Sequence, residues 1–162
     1  MVNNSPMAWE PELVEEPFPG IIREWFSNHK IVVYRPESML ATDVSNWADG
    51  VSQVLQAWPE NMPYLALHDI SAPRIGLAYV TIVKYDIFNI GITAAGWRQA
   101  QDILANRGHF KARIALLFGL SHSGHLSQTL THHRKRERSD LDIEFETFFE
   151  REQALEWLTK YV

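Results

Sequence analysis

The 162 residues carry 15 Lys and Arg against 20 Asp and Glu, a net charge of −5, which argues against a chain whose main partner is nucleic acid. Apolar residues make up 46% and aromatics 12%, with six Trp, enough for one domain with a full hydrophobic core. There is no cysteine, so disulfides, thiolate nucleophiles and Cys-ligated zinc are excluded, and a reducing cytoplasm is the expected compartment. No basic segment leads into an apolar one at the N-terminus, so no signal peptide is expected. No run approaches the ~18 apolar residues of a membrane span.

Residues 1–20 hold four of the eight prolines (Pro6, Pro11, Pro17, Pro19) and four acids (Glu10, Glu12, Glu15, Glu16), with no Lys or Arg. This composition predicts an extended arm or strap rather than a regular element, with Trp9, Leu13 and Phe18 favouring the strap. Residues 21–162 are expected to form the domain. Within it, residues 21–26 and 31–35 alternate with period two and read as a hairpin across Ser27-Asn28-His29-Lys30, which Pro36 ends. Thr42 or Asp43 caps a helix through Trp58, with Val44, Trp47, Ala48, Val51, Val54, Leu55 and Trp58 on its apolar face and Pro59 as its stop. Residues 64–70 form a short buried strand.

Residues 77–90 are rich in β-branched side chains, yet Tyr79, Ile82, Val83, Ile87 and Ile90 mark one helical face, and the segment is read as helical. A helix opened by Thr93 or Gly96 runs through Ile103 and Leu104 to Gly108. The chain is organised around residues 112–118, an almost unbroken apolar run that predicts a strand inside a sheet covered on both faces. A Ser/Gly turn leads from it into a helix over 123–134. Residues 143–149 give a further strand, and 152–161 a closing amphipathic helix. The order β-β-α-β-α-α-β-α-β-α predicts an α/β fold with a mixed, mostly parallel sheet of four to five strands and a hairpin at its start.

That order, with the closing Phe148, Phe149, Arg151, Glu152, Ala154, Leu155, Trp157 and Leu158, resembles the STAS-like (anti-sigma-factor-antagonist-like) families. More narrowly it is similar to the bacterial branch grouped with the CRAL–TRIO lipid carriers. The resemblance covers residues 20–162 in element order but only the closing segment in wording. It implies a mixed sheet with helices packed on it and, usually, no catalysis. It also implies partners such as kinases and other switch proteins or membrane-transporter domains, and nucleotides or lipids in some branches. Phosphorylation-switched members carry an Asp-Ser-Ser-Gly type signature. This chain has Asp69-Ile70-Ser71-Ala72-Pro73 and Ser121-His122-Ser123-Gly124 in its place, which argues against a kinase-driven switch.

The candidate ligand-binding residues are Asp69, Ser71, Ser121, His122, Ser123 and His125. They lie where parallel strands end and a helix begins, the edge at which open α/β sheets bind ligands and free N–H groups favour an anion. A serine that caps the helix would satisfy the same N–H groups. The histidines at 122, 125, 132 and 133 spread over two to three helical turns, too far to meet at one ion, so no metal is expected. The basic run 132–138 reads as a solvated helix end without interleaved aromatics to stack on bases. Gly119-Leu120-Ser121-His122-Ser123-Gly124 has one residue too many for a hydrolase elbow. Trp9, Trp25 and Phe26, in the arm and on the hairpin, are candidate interface residues.

The expected function is a non-catalytic, cofactor-free binding module acting through a protein partner or as a homodimer, with no nucleic acid and no integral membrane association. A small apolar or anionic ligand at the strand ends is compatible with it. The alternative is a small-molecule or lipid carrier with an apolar pocket under 77–90. The third is a small hydrolase using Ser/His or a His-bound metal.

Overall fold

A computed structural model describes residues 9–75, 99, 102–121, 124–126, 128–129 and 142–162. Six strands lie in one sheet in chain order from edge to edge. They are β1 (Leu13–Phe18), β2 (Ile21–Phe26), β3 (Ile31–Pro36), β4 (Tyr64–Ile70), β5 (Lys111–Phe118) and β6 (Asp142–Phe148). β1, β2 and β3 pair antiparallel, whereas β3 to β6 pair parallel. Helix α1 (Ala41–Ala57) connects β3 to β4, and α2 (Arg151–Thr159) follows β6.

The architecture is α/β as expected, but the sheet has six strands rather than four or five and is mixed rather than mostly parallel. Two short connections explain this. Pro19-Gly20 and the four residues 27–30 are too short to cross over the sheet, so both must make antiparallel turns. The extra strand comes from the acidic, proline-rich segment, whose residues 13–18 form β1. Pro17 is tolerated because β1 is an edge strand, and the register shifts between Glu15 and Phe18. The hairpin of residues 21–35 is therefore not the edge of the sheet: β1 covers it.

α1 begins at Ala41, with Leu40 in the N-cap position and no side-chain cap. Asp43 sits in the first turn and accepts a hydrogen bond from Ser38 Oγ. The helix ends at an extended Trp58, the conformation a residue before proline prefers. Helical residues 102–105 fall inside the expected 93–108 helix and stop short of Gly108. Residues 77–90 lie outside those described.

Each face of the sheet carries its own core. On the α1 face, Trp47, Ala48, Val51, Val54 and Leu55 pack on Val32, Tyr34, Ala66, Ile114 and Leu116. On the other, Ala154, Leu155 and Leu158 of α2 pack on Val33, Leu65, Leu67, Ala115 and Leu117. Every residue of β4 is buried, and β5 is covered on both faces, which is why residues 112–118 read as an almost unbroken apolar run rather than as alternation.

The α1-face core encloses a small polar network. Tyr34 and His68 are register partners across β3 and β4, and their rings stack at 5.1 Å. Trp47 Nε1 donates to His68 Nδ1 at 3.1 Å, and the Tyr34 and Tyr64 hydroxyls lie 3.0 Å apart. Burial pushes both phenols above their ordinary range, so both stay neutral. It also lowers the His68 imidazole to about 3.

Between the ordinary imidazole value and about 3, the unfolded chain therefore binds a proton that the folded chain refuses. Stability from this group is full above the ordinary value and falls on acidification across that window. In His68→Gln the side-chain carbonyl still accepts from Trp47. Its unfolding free energy, measured by urea titration between about pH 6 and pH 4, is expected to fall less steeply, by about 1.4 kcal/mol per pH unit. A slope identical to that of the parent would show that the imidazole already binds a proton in the fold.

Candidate ligand-binding cleft

The strand-end residues singled out from the sequence come together, but as structure. Asp69 Oδ1 accepts from Ser71 N at 3.1 Å and Ser71 Oγ at 2.5 Å. Ser121 Oγ accepts from Gly124 N at 3.1 Å, which is the capping role. The His125 ring packs 4.7 Å from Phe149. His122 and Ser123 lie outside the described residues. The strand ends are pressed shut here: a Cβ at Gly119 would stand 2.5 Å from Ser71 O, and one at Gly124 would stand 1.9 Å from Gly119 O. Glycine at both positions is what allows the helix start to seat on the ends of β4 and β5.

Asp69 also belongs to an ion cluster that sequence reading missed. Its Oδ2 lies 3.6 Å from Arg151, whose guanidinium is 2.5 Å from Glu24 Oε2 and over the Phe26 ring. Both carboxylate side chains are only 9% exposed. Arg151 at the start of α2 thus bridges β2 and β4 and fixes the helix on the sheet. Arg151→Met leaves two buried like charges. It is expected to cost about 2 kcal/mol, and at least about 1 kcal/mol less in a Glu24→Gln background. Additive costs in that double-mutant cycle would contradict the clamp.

Among the described residues, an open site lies elsewhere, on the α1 face beside the β2–β3 turn. A cleft of about 590 Å³ opens there, lined by Trp25, His29, Lys30, Ala57, Pro59 and Met62 and reaching the buried Trp58 and Val54. The two indoles are nearly parallel, with ring centres 6.3 Å apart and planes at 14°. Trp58 in turn meets Tyr64 edge-on at 5.1 Å, which ties the cleft wall to the buried network.

One carboxylate organises this wall. Glu15 of β1 accepts from Arg23 Nε at 2.6 Å and from Trp25 Nε1 at 2.7 Å. Burial opposes its ionisation, but these bonds outweigh burial and hold its carboxyl below the ordinary range. Arg23 NH1 also donates to Gln53 Oε1 of α1 at 2.8 Å, linking strand to helix across the cleft base. The Arg23 guanidinium lies 5.7 Å over the Trp25 ring.

The rim is strained. Ser27, Asn28 and His29 take left-handed φ values of 57°, 58° and 60°, and none is glycine. Each costs on the order of 1–2 kcal/mol. The Glu12 carboxylate compensates by accepting from Asn28 N at 2.8 Å and His29 N at 3.3 Å. Strain of this kind concentrates where a surface is held in one shape for binding.

No family model, curated protein or solved structure matches this chain. The site is therefore read from its own chemistry. Among the described residues, no group of three or more His, Asp or Glu is placed to hold a metal ion. No helix there is long and apolar enough to cross a membrane. The cleft wall contains no carboxylate and no hydroxyl side chain.

Of the cleft residues, the sequence singled out only Trp25, and for another role. Arg23 read as one position of an alternating strand and residues 27–30 as a connector; Trp58 read as core, and at 4% exposed it is core. The available signal was Trp25 two positions from Arg23, set against a helix ending in Trp58-Pro59. Of the interface candidates, Phe26 is 2% exposed. Trp9 packs with Phe148, Trp157 and Tyr161 on the α2 face, and the Trp25 indole N–H is bonded to Glu15.

Proposed function

We propose that this chain is a non-catalytic ligand-binding domain whose receptor is the cleft between α1 and the β2–β3 turn. The observation that carries the reading is an open cleft of about 590 Å³, lined by the half-buried Trp25 with Ala57, Pro59 and Met62, in the size range of small-molecule sites. Its side chains hold shape rather than react: Arg23 is bonded to Glu15 and Gln53, and no acid or hydroxyl faces the space. The STAS-like relationship, proposed from element order and the α2 residues, fits a binding role.

Association through a protein partner or a second copy has less to draw on. The large apolar side chains exposed among the described residues, such as Leu13, Leu40, Leu120 and Val162, are scattered over separate segments.

Ala57, exposed on the last turn of α1, borders the cleft, so Ala57→Trp fills it without touching the core. In a ligand-observed NMR screen of small aromatic and aliphatic fragments, hits on the parent protein are expected to vanish in Ala57→Trp, with unchanged far-UV circular dichroism. Hits that persist in the variant, or no hits on the parent, would refute the cleft as receptor. A stable dimer without fragment binding would favour self-association.

A further inference from the structure

We propose that the N-terminal strap is a releasable latch that sets the hand of the β2–β3 turn and, with it, the rim of the cleft. The inference rests on the cleft reading above and adds its regulation. Ser27, Asn28 and His29 are left-handed in succession, and Lys30 N donates to Phe26 O at 3.1 Å, which makes one turn of left-handed helix. Left-handed residues normally occur singly, not as helical turns. Four-residue hairpin loops are most often built around a type I turn, whose central residues are right-handed. Ser27-Asn28-His29-Lys30 holds no glycine to favour the left hand. Left to itself, this loop prefers the opposite hand.

What holds it is Glu12, whose two oxygens accept from Asn28 N at 2.8 Å and His29 N at 3.3 Å. The His29 ring stands 3.7 Å from the same carboxylate. Successive N–H groups aimed at one point favour an anion there, and that anion offsets the strain. Glu12 is exposed, so water competes for its oxygens and the hold is reversible. Glu15 differs, being tied to two side chains. The strap in turn places Glu12. Its N–H donates to Trp25 O at 2.8 Å, and Trp9, three residues earlier, packs on the α2-face core. Pro11 stiffens the link between them.

Asn28, His29 and Lys30 all line the cleft, and the His29 ring lies 5.3 Å from that of Trp25. A change of hand at 27–29 moves these lining residues together. With Glu12 engaged, the rim is held in its open shape. With the strap lifted, the turn relaxes and the receptive form becomes a minor population. Trp9 on one face of the sheet is thereby linked to a cleft on the other.

The test is solution NMR of the full chain, reading the hand of residues 27–29 from intraresidue HN–Hα Overhauser effects, which are strong at positive φ. Glu12→Ala is expected to abolish that signature and to speed amide exchange at Asn28 and His29 at least about tenfold. Trp9→Ala, on the opposite face, is expected to speed the same amides at least about threefold and weaken the signature. Adding Asn28→Gly to Glu12→Ala should restore the left hand in part, because glycine adopts it without an outside carboxylate. Fragments that bind the parent cleft should bind Glu12→Ala at least about fivefold more weakly. A left-handed signature that survives in Glu12→Ala overturns the latch. A turn that changes hand in Glu12→Ala but not in Trp9→Ala overturns the strap as its carrier. If the hand changes while fragment affinity does not, control of the rim is overturned and the cleft reading stands. If no fragment binds the parent, the cleft reading fails and takes the rim's role with it, while the NMR signatures still decide the latch. Far-UV circular dichroism checks that each variant is folded. Glu12→Gln, which keeps one acceptor oxygen, should show a smaller change of the same kind and serves if Glu12→Ala does not fold.

Discussion

The Glu15 carboxylate is the joint on which the N-terminal third of the molecule depends. A single oxygen accepts from both Arg23 and Trp25, so one group sews β1 onto β2, orients an indole and neutralises a guanidinium. Arg23 passes the constraint on to α1 through Gln53. Besides backbone bonds and the Glu12 hold on the turn, the edge strand is otherwise anchored by Phe18 against the α1-face core, since Leu13 and Val14 are exposed. The cleft is the space these constraints leave between strand, turn and helix.

The same logic recurs on the opposite face. There Arg151 joins Glu24 and Asp69, so that α2 is fixed by charge at its start and by Ala154, Leu155 and Leu158 along its length. Residues at β2 thus face both ways: Arg23 and Trp25 build the cleft on one side, while Glu24 and Phe26 anchor a helix on the other. The tight seat of Gly124 against Gly119 closes the far end of the parallel strands. Among the described residues, the strand ends by Gly119 are closed and a cleft opens beside the turn, at the N-terminal end of β3.

Much of the fold was legible in the sequence. The strands at 21–26, 64–70 and 112–118 follow from alternation or from apolar runs, and α1 follows from its helical stripe ended by Pro59. β1 was not legible, because four acids and four prolines in the first twenty residues read as an arm. What makes residues 13–18 a strand is non-local: Glu15 finds Arg23, and Glu12 finds the turn. The site was less legible for a related reason. Period two explains Arg23 and Trp25 as ordinary strand positions, and only folding shows that Trp58, more than thirty residues later, lies parallel to Trp25. Likewise the Asp69–Ser71 and Ser121 signals were real, but local bonding accounts for them as turn and cap.

The most direct measurement is a double-mutant cycle between Glu15→Gln and Arg23→Met, read as unfolding free energy by urea titration. The expected result is a coupling of at least about 1 kcal/mol, because one carboxylate oxygen holds the guanidinium and the edge strand together. Additive costs would contradict Glu15 as the joint.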